Sequence, residues 1–383
     1  MIQRRAFIIF STATFLTFMA ISSIAYFSVI FSEAGLSKQE IGWVLSAALV
    51  PTVVGVLICG ELTSKFSALE LAVAGQIIIG LAYASFLFTT HHVWMAATSR
   101  ALVGFGYGLF FTAGLIYARS LITGNNAVFW FGIYTTMMPL PNLVGPGLAE
   151  LLYHRAGITV VLAIFTGLAI VGIGMTRTLP AMPRQTVLEK HVGYRQILKS
   201  KETALAFFAI VVAGLMWGFS LSFVSLLLHE SGVPTTTFFT ATTLTMVLSR
   251  FTAMAWFGKK SKYLVIALGM LLMAIGYASL ALFNTHSLLV ILAGCFFGFG
   301  YSMSFPVLSL WATEPYPLAQ RGRPMATITS FFQAGSFVVP MLVGLWSQWA
   351  NLRSFLFALV AVALATATVM LVTHFKSVPA TGA

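Results

Sequence analysis

The sequence predicts an all-α membrane protein in which twelve transmembrane helices form two six-helix bundles related by pseudo-two-fold symmetry. Hydrophobic residues make up 59% of the 383 residues and charged residues only 8%, whereas soluble domains carry about 25% charged residues. The stretch Gly104 to Tyr107 reads Gly-Phe-Gly-Tyr, and the same four residues recur at Gly298 to Tyr301, 194 positions later. A repeat at half the chain length indicates a duplicated bundle.

The apolar segments divide the chain into six spans, one polar connection and six further spans. Each span needs about 20 apolar residues to cross the hydrocarbon core. The spans are predicted at about 6–31, 38–60, 70–90, 94–118, 127–151, 157–177, 203–228, 236–257, 263–283, 287–312, 324–348 and 352–374. Residues 1–178 are expected to form the N-terminal bundle, 179–202 a cytoplasmic linker and 203–383 the C-terminal bundle.

The basic residues indicate which side of the membrane each loop faces. If both termini are cytoplasmic, sixteen of the 21 Lys and Arg residues lie on the cytoplasmic side, and the outer loops contain Lys38, Arg155 and Arg353. This bias follows the positive-inside rule, so it accounts for the net charge of +12 without a nucleic-acid partner. The short loops favour a monomeric, multi-pass protein of the bacterial inner membrane.

Short sequence patterns occur in or after several spans. They comprise Gly60 and Lys65 after the second span, Arg100 with Gly104 and Gly106 in the fourth, Gly145 and Pro146 in the fifth, and Glu314 and Arg321 after the tenth. Together these patterns resemble the motifs of the major facilitator superfamily, and the resemblance extends over all twelve spans. Ser64 is a departure, because the family usually has Asp at that position.

The fifth span carries the pattern that bears on the direction of transport. Its glycines, ending in Gly145-Pro146, resemble the motif of the drug/proton antiporter branch, although Pro141 and Ala149 stand where glycines are expected. In that branch the motif is associated with export. Because prolines have no N–H to donate, they are expected to bend this helix.

The resemblance also implies roles for two loops on the cytoplasmic side. The loop with Gly60 and Lys65 is expected to latch that side, and Glu314 is expected to tether it by pairing with Arg321. The alternatives are a solvated loop end and an ordinary exposed ion pair, which contributes under about 1 kcal/mol.

Arg100 stands four residues before the first Gly-Phe-Gly-Tyr stretch. The second stretch has no arginine there, because the offset of 194 positions places Gly294 at the matching position. A buried Arg costs several kcal/mol in a membrane unless it faces a partner or water. Snorkelling towards the outer headgroups is the alternative to a role in a cavity. We interpret Gly104 and Gly106 as packing residues, since small residues let helices approach closely in lipid.

The charges inside the spans restrict the substrate. No acid lies near the middle of a predicted span, whereas Arg100 and Arg250 both lie within spans. A site for cationic drugs would be expected to hold a carboxylate. We therefore expect a neutral or anionic amphipathic substrate, whose carboxylate would pair with Arg100.

Other polar and aromatic residues are candidates for lining the central cavity that the resemblance implies. They are Tyr26, Tyr107, Asn142, Trp217, Ser220, Tyr301, Gln333 and Ser336. Each could instead be a packed helix residue. Tyr107 and Tyr301 occupy equivalent positions of the repeat, so they form the pair expected to face each other, with a shared packing role as the alternative.

Glu150 is the candidate for proton coupling, because the first span offers only hydroxyl groups. It lies at a depth comparable with Arg100 in the adjacent span. An ion pair between these two residues that forms in one state and breaks in another would act as a proton switch. An exposed Glu at a helix end is the alternative.

These features predict a secondary active transporter that works by alternating access and exports a small amphipathic molecule, such as a drug, a sugar or a siderophore-like carboxylate. The alternatives are a proton-coupled importer of an organic anion and a non-transporting membrane sensor. Catalysis is not expected, because the chain has no Asp and its seven histidines are scattered at span edges and in loops. No cofactor, metal site or ATP-binding loop is predicted.

Overall fold

The computed structural model describes most of the chain and is α-helical throughout the described ranges, which confirms the predicted fold class. The described residues are 4–63, 65–89, 92–122, 127–180, 193–199, 201–252, 260–283, 287–316 and 322–377. No strand occurs within these ranges, as expected for a chain that satisfies its backbone hydrogen bonds inside a membrane by helix formation.

Sixteen α-helices and two short 3₁₀ turns make up the described structure. The first eight helices are α1 Arg4–Ser23, α2 Phe27–Glu33, α3 Lys38–Ser46, α4 Leu49–Leu62, α5 Ala68–Thr89, α6 Val93–Ser120, α7 Ala127–Thr136 and α8 Gly145–Arg177. The other eight are α9 Tyr194–Lys199, α10 Lys201–Ser222, α11 Val224–His229, α12 Thr236–Thr252, α13 Lys262–Leu282, α14 Ser287–Thr313, α15 Gly322–Trp346 and α16 Leu352–Ser377. The 3₁₀ turns are Ile24–Tyr26 and Leu140–Leu143.

Ten helical segments of the described chain are long and apolar enough to cross a membrane. One of them, α8, contains the end of the predicted fifth span and all of the sixth, joined across Gly157, whose φ of 76° is not helical. The predicted eighth span corresponds to α12, and the last residues predicted for that span lie outside the described ranges. The remaining predicted spans each match a described helix or a consecutive pair of helices.

The fifth span is bent by its prolines, as expected. Helix α7 ends at Thr136, the second 3₁₀ turn occupies Leu140–Leu143, and α8 begins at Gly145. Asn142 lies in this turn and is buried. The break therefore places a polar side chain at a point where the helical hydrogen-bond ladder is interrupted.

Local sequence explains where the second and third spans begin. The Ser37 hydroxyl accepts a hydrogen bond from the Glu40 backbone N–H, and the Glu40 carboxylate accepts one from the Ser37 N–H at 2.8 Å. Ser67 and Glu70 form the same reciprocal pair at the start of α5. Such capping boxes satisfy backbone donors that the first turn of a helix leaves without partners.

The described chain folds into two compact units. Unit 1 contains the described residues up to 180 together with Ser220–His229 and Phe337–Leu345, which come from the second half of the chain. Unit 2 contains the other described residues, from 193 onwards. Division of the chain at the linker 179–202 stays a prediction.

Within unit 1, the two glycines of the repeat are contact points between helices. A Cβ atom on Gly104 would lie 2.7 Å from the Ala48 carbonyl oxygen, in the segment between α3 and α4. A Cβ on Gly106 would lie 2.7 Å from the Gly75 carbonyl oxygen on α5. Both glycines therefore allow a backbone approach that any larger residue would prevent.

Within unit 2, the second copy of the repeat packs in the same way. Gly298 faces Thr242 on α12, and Gly300 faces Gly269 on α13. Thr242 lies 194 positions after Ala48, and Gly269 lies 194 positions after Gly75. The duplication seen in the sequence is therefore also a duplication of helix packing, down to individual residues.

Candidate functional site

Arg100 lies on α6 and is buried inside unit 1. Only 7% of its surface is exposed. Its Nε–H donor has no hydrogen-bond partner, and no carboxylate among the described residues pairs with the guanidinium. Snorkelling would place the charged end in an exposed position, so the burial favours the interpretation of Arg100 as a cavity residue.

Aromatic side chains surround this guanidinium. Its Cζ atom lies 5.3 Å from the centre of the Phe337 ring, which is a cation–π contact. The side chains of Tyr83 and Tyr107 also lie near it. Tyr107 also contacts Phe337 edge-on, with 6.4 Å between the ring centres. The site therefore offers a buried cation, polarisable rings and hydroxyl groups, but no anion among the described residues.

Tyr83 holds one side of the site in place. Its hydroxyl donates a hydrogen bond to the Ala20 carbonyl oxygen and also lies 3.3 Å from the Ser23 hydroxyl. The side chain is fully buried. Tyr83 thus ties α5 to α1 next to Arg100, a role that the sequence analysis missed. The sequence did contain a signal for this role, because the repeat places Tyr277 194 positions after Tyr83. In unit 2 the Tyr277 hydroxyl donates a hydrogen bond to the Met216 carbonyl oxygen in the same way.

Glu150 does not pair with Arg100 in this structure. It lies on α8, close enough to the Tyr26 hydroxyl to act on it electrostatically. Tyr26 is itself fully buried and lies 3.1 Å from the Nε2 atom of His154. The structure thus groups Glu150 and Tyr26 together, apart from the contacts made by Arg100, and the Arg100–Glu150 switch stays a prediction.

The candidates of the second half form an aromatic stack inside unit 2. Trp217 and Tyr301 stack with 4.5 Å between ring centres, and Tyr301 also stacks on Phe305 at 5.6 Å. Arg250 lies near the Tyr301 hydroxyl, and Gln333 is buried on α15. The prediction that Tyr107 and Tyr301 face each other concerns residues of different units and stays a prediction.

The two remaining cavity candidates, Ser220 of unit 1 and Ser336 of unit 2, are both buried. The Ser336 hydroxyl donates to the Gly214 carbonyl oxygen at 3.1 Å, which joins α15 to α10. Among the described residues there is no group of three His, Cys or acidic side chains placed to hold a metal ion.

The motif residues near loops have contrasting surroundings. Gly60 and Lys65 are exposed at the end of α4 and after it, whereas Gly145 and Pro146 are buried at the start of α8. Gly145 lies against the Ser22 side chain of α1, where a Cβ atom would collide. The tight packing of Gly145 explains why a small residue follows the break in the fifth span.

Glu314 has a partner that the sequence analysis did not name. It forms an ion pair with Lys262, whose ammonium also lies 5.2 Å from the centre of the Trp311 ring. Arg321, its predicted partner, lies outside the described residues. The basic residues between the eighth and ninth spans were the available signal for this contact.

A duplicated bundle of membrane helices with a buried charge beside close-packed glycines is the architecture of a secondary transporter. The sequence model of the Major Facilitator Superfamily matches residues 9–260 and, separately, 206–382. These matches cover nearly the whole chain, and the chain belongs to this family. The two matches overlap at residues 206–260, and the second lies wholly in the second half of the chain. No curated protein sequence matches the chain.

Solved structures with the same fold are distant in sequence. A mutant of the nucleoside transporter NupG is 13% identical and superposes with a TM-score of 0.79, covering 96% of this chain and 99% of that one. A POT family transporter in complex with a thioalcohol-conjugated peptide is 14% identical, with a TM-score of 0.79 and coverages of 97% and 96%. PepTSo, also of the POT family, is 13% identical, with a TM-score of 0.74 and coverages of 97% and 98%. At these identities the likeness shows the fold alone.

Proposed function

We propose that this transporter carries a small amphipathic organic anion and that Arg100 binds the substrate's carboxylate. The observation that carries this proposal is the buried guanidinium of Arg100, which has an unpartnered Nε–H and no carboxylate partner among the described residues. A substrate anion would provide the missing charge and hydrogen-bond acceptors.

The energetics favour an anion over a neutral substrate. An uncompensated charge in a membrane interior costs several kcal/mol, and the Phe337 ring offsets only about 1–2 kcal/mol of it. A carboxylate can accept two parallel hydrogen bonds from a guanidinium, which makes this pairing stronger and more directional than a bond to a neutral carbonyl. Binding would therefore relieve a cost that the empty protein bears.

The aromatic residues support the amphipathic character of the substrate. Within unit 1, Phe337 lies over the Arg100 guanidinium, and Tyr107 contacts Phe337 edge-on. Ligand sites are mostly apolar, with a few polar groups that fix orientation. A compact organic anion with an apolar portion fits these surroundings better than a highly polar sugar.

Export driven by protons is the direction we propose. Its support is the fifth span, which resembles the motif of the drug/proton antiporter branch and is broken between Thr136 and Gly145. Glu150 is the coupling residue we assign from the sequence. In this mechanism the two bundles expose the substrate site to one side of the membrane at a time.

A thermal-shift screen of the purified protein tests the anion proposal. The ligands are carboxylate metabolites, neutral sugars and cationic drugs, each assayed at the same concentration against the unmodified chain and Arg100→Gln. We expect carboxylates to raise the melting temperature of the unmodified chain the most, and to leave that of Arg100→Gln unchanged. The reason is that a ligand stabilises a folded protein only if it binds to it.

Arg353→Gln is the matched control, since the Arg353 guanidinium also lies over an aromatic ring, 5.4 Å from the centre of Phe283. It should keep the carboxylate response. Equal responses in Arg100→Gln and the unmodified chain would exclude Arg100 as the anion site. A transport assay tests the direction. The carboxylate that binds best is followed in proteoliposomes with an inward or an outward proton gradient. Movement of this carboxylate in the direction opposite to the protons supports proton-driven export, and movement in the same direction as the protons supports import.

A further inference from the structure

A cavity lies between the starts of α3 and α6 in unit 1, at the predicted outer ends of the second and fourth spans. Its volume is about 470 Å³, which falls within the range of small-molecule sites. The residues that line it are Glu40 and Trp43 of α3, His92 just before α6, and Val93, Trp94 and Met95 in the first turn of α6. They are not among the residues that surround Arg100.

Two tryptophans form one wall of this cavity. The Trp43 and Trp94 indoles stack with 6.2 Å between ring centres and 17° between planes. Despite this contact, 39% of Trp43 and 75% of Trp94 are exposed. Among aromatic side chains, indole attracts a cation to its ring face most strongly. The pair therefore offers an accessible surface for a cation at the level where membrane tryptophans meet lipid headgroups.

A carboxylate lies in the same cavity. The Oε2 atom of Glu40 accepts hydrogen bonds from the backbone N–H and from the hydroxyl of Ser37, each at 2.8 Å. The capping box of α3 thus holds the Glu40 side chain in place. Both bonds use Oε2, which leaves Oε1 to accept a bond from a ligand. A carboxylate beside indole faces is complementary to a cation, and the oxygen left over favours a cation that has N–H donors.

The second half of the chain shows that helix packing does not require these residues. The offset of 194 positions relates the carboxylate and the two indoles to Pro234, Thr237 and Leu288. Helices α12 and α14 pack against each other in unit 2 without an acid or an indole at these positions. The difference between the copies favours a role in ligand binding over a role in helix packing.

Exposed apolar side chains continue from the cavity towards the middle of the membrane. Val50, Val54 and Leu57 follow Trp43 at intervals of seven, four and three residues, and all of them are exposed. The two residues between α3 and α4 keep helical dihedral angles, so this spacing places the side chains along one face. The cavity is therefore continuous with a surface suited to acyl chains, which favours a lipid over a dissolved amine as its occupant.

We propose that this cavity binds the headgroup of an outer-leaflet phospholipid that carries a primary ammonium, such as phosphatidylethanolamine. The ammonium contacts the indole faces and donates to the Oε1 atom of Glu40, and an acyl chain lies along the exposed face below Trp43. A trimethylammonium group has no N–H to donate, so a choline lipid loses the contact with Glu40. The proposal goes beyond the transport of an anion and does not depend on it.

Native mass spectrometry of the purified full chain in detergent tests this site. The protein is mixed with equal amounts of phosphatidylethanolamine, phosphatidylcholine and phosphatidylglycerol that have the same acyl chains, and the bound lipid is identified by its mass. We expect about fivefold more bound ethanolamine lipid than choline lipid, the size expected for one exposed charged contact. The glycerol lipid should bind least, because its headgroup has no cation.

Two variants and two matched controls assign the preference to the cavity. Glu40→Gln and Trp94→Leu should each reduce the preference for the ethanolamine lipid to under about twofold. Glu70→Gln changes the same kind of capping box at the start of α5, and Trp349→Leu removes another exposed indole. Both controls should keep the preference. Glutamine can still complete a capping box, so Glu40→Gln removes the charge with little effect on the start of α3.

A soluble competitor separates the lipid from a dissolved amine. Phosphoethanolamine, which is the headgroup without acyl chains, should not displace the bound lipid at about a tenfold excess, because it lacks the apolar contacts. Displacement would overturn the lipid as the occupant.

Equal binding of the three lipids would also overturn the proposal and would leave the tryptophans as interfacial anchors only. A preference that survives in both Glu40→Gln and Trp94→Leu would do the same, and if one of these variants does not fold, the other decides. Because the assay contains no transport substrate, its failure leaves the anion site at Arg100 untouched.

Discussion

Helices α6 and α14 are two copies of one element, and they differ at the position that bears the charge. Both carry the Gly-Phe-Gly-Tyr stretch, and both place its glycines against residues at equivalent positions of their own unit. Arg100 of α6 corresponds to Gly294 of α14, where a Cβ atom would lie 2.7 Å from the Phe238 carbonyl oxygen. Unit 2 therefore has no room for a Cβ atom at the position that corresponds to Arg100.

The surroundings of the equivalent tyrosines show the same contrast. Tyr83 lies beside the Arg100 guanidinium, whereas Tyr277 stacks on Phe297 with 5.0 Å between ring centres and 7° between planes. The residue of α6 that corresponds to Phe297 is Val103. The tyrosine of unit 2 therefore stacks on an aromatic ring, whereas its counterpart in unit 1 lies near a cation. The two copies share their glycine packing and differ in whether a charge lies at this position.

The largest effect should come from breaking what the two copies share. Gly104→Val and Gly298→Val each force a side chain into a backbone contact, and we expect each to lower the free energy of unfolding by about 3 kcal/mol or more. Gly167→Val, at a helical position with no atom within 4 Å of a Cβ, should change it by under about 1 kcal/mol. Thermal unfolding in detergent measures the stability of all three variants. If Gly104→Val were destabilised and Gly298→Val were not, the two glycines would not be equivalent in packing.

The next effect separates the two copies. Arg100→Met removes a buried charge that has no anionic partner among the described residues, so the empty protein should become more stable by about 2 kcal/mol. Gly294→Met, the same new side chain at the matching position, should be destabilising because of the close Phe238 backbone. Melting curves of the two variants without ligand should therefore shift in opposite directions, and a destabilised Arg100→Met would show that Arg100 has a structural partner.

Tyr83→Phe and Tyr277→Phe test the equivalent tyrosines. Each variant loses one buried hydrogen bond to a carbonyl oxygen, so each should lower stability by about 1 kcal/mol. Of the two variants, we expect Tyr83→Phe also to weaken carboxylate binding, because Tyr83 lies near the Arg100 guanidinium within unit 1. Equal ligand affinities for the two variants would mean that Tyr83 has no role in the site.

The smallest effect is expected at the ion pair between Lys262 and Glu314. The pair is exposed, and such pairs contribute about 0.2–1 kcal/mol. A double-mutant cycle with Lys262→Gln and Glu314→Gln, measured by thermal unfolding, should give a coupling energy in that range. A coupling energy well above this range would indicate that the contact is stronger than an exposed ion pair, as the predicted tether of the cytoplasmic side requires.

The sequence predicted the helices, the repeat and the buried Arg, because hydropathy and glycine spacing depend on local composition. It predicted the bend of the fifth span for the same reason, since prolines act where they stand. It missed the contact of Phe337 with the Arg100 guanidinium and the contact between the Glu33 carboxylate and the His229 imidazole. These contacts join distant parts of the chain, so local patterns do not indicate them. The Arg100–Glu150 switch was inferred from depth in adjacent spans, and it stays a prediction because it concerns a pair that forms in one state and breaks in another.

The central claim is that Arg100 recognises the negative charge of the substrate. The most direct test compares the best carboxylate ligand with its neutral primary amide by isothermal titration calorimetry, in the unmodified chain and in Arg100→Gln. The account predicts that the unmodified chain binds the acid at least about tenfold more tightly than the amide, and that this preference disappears in Arg100→Gln. An equal preference for the acid in both proteins would contradict it.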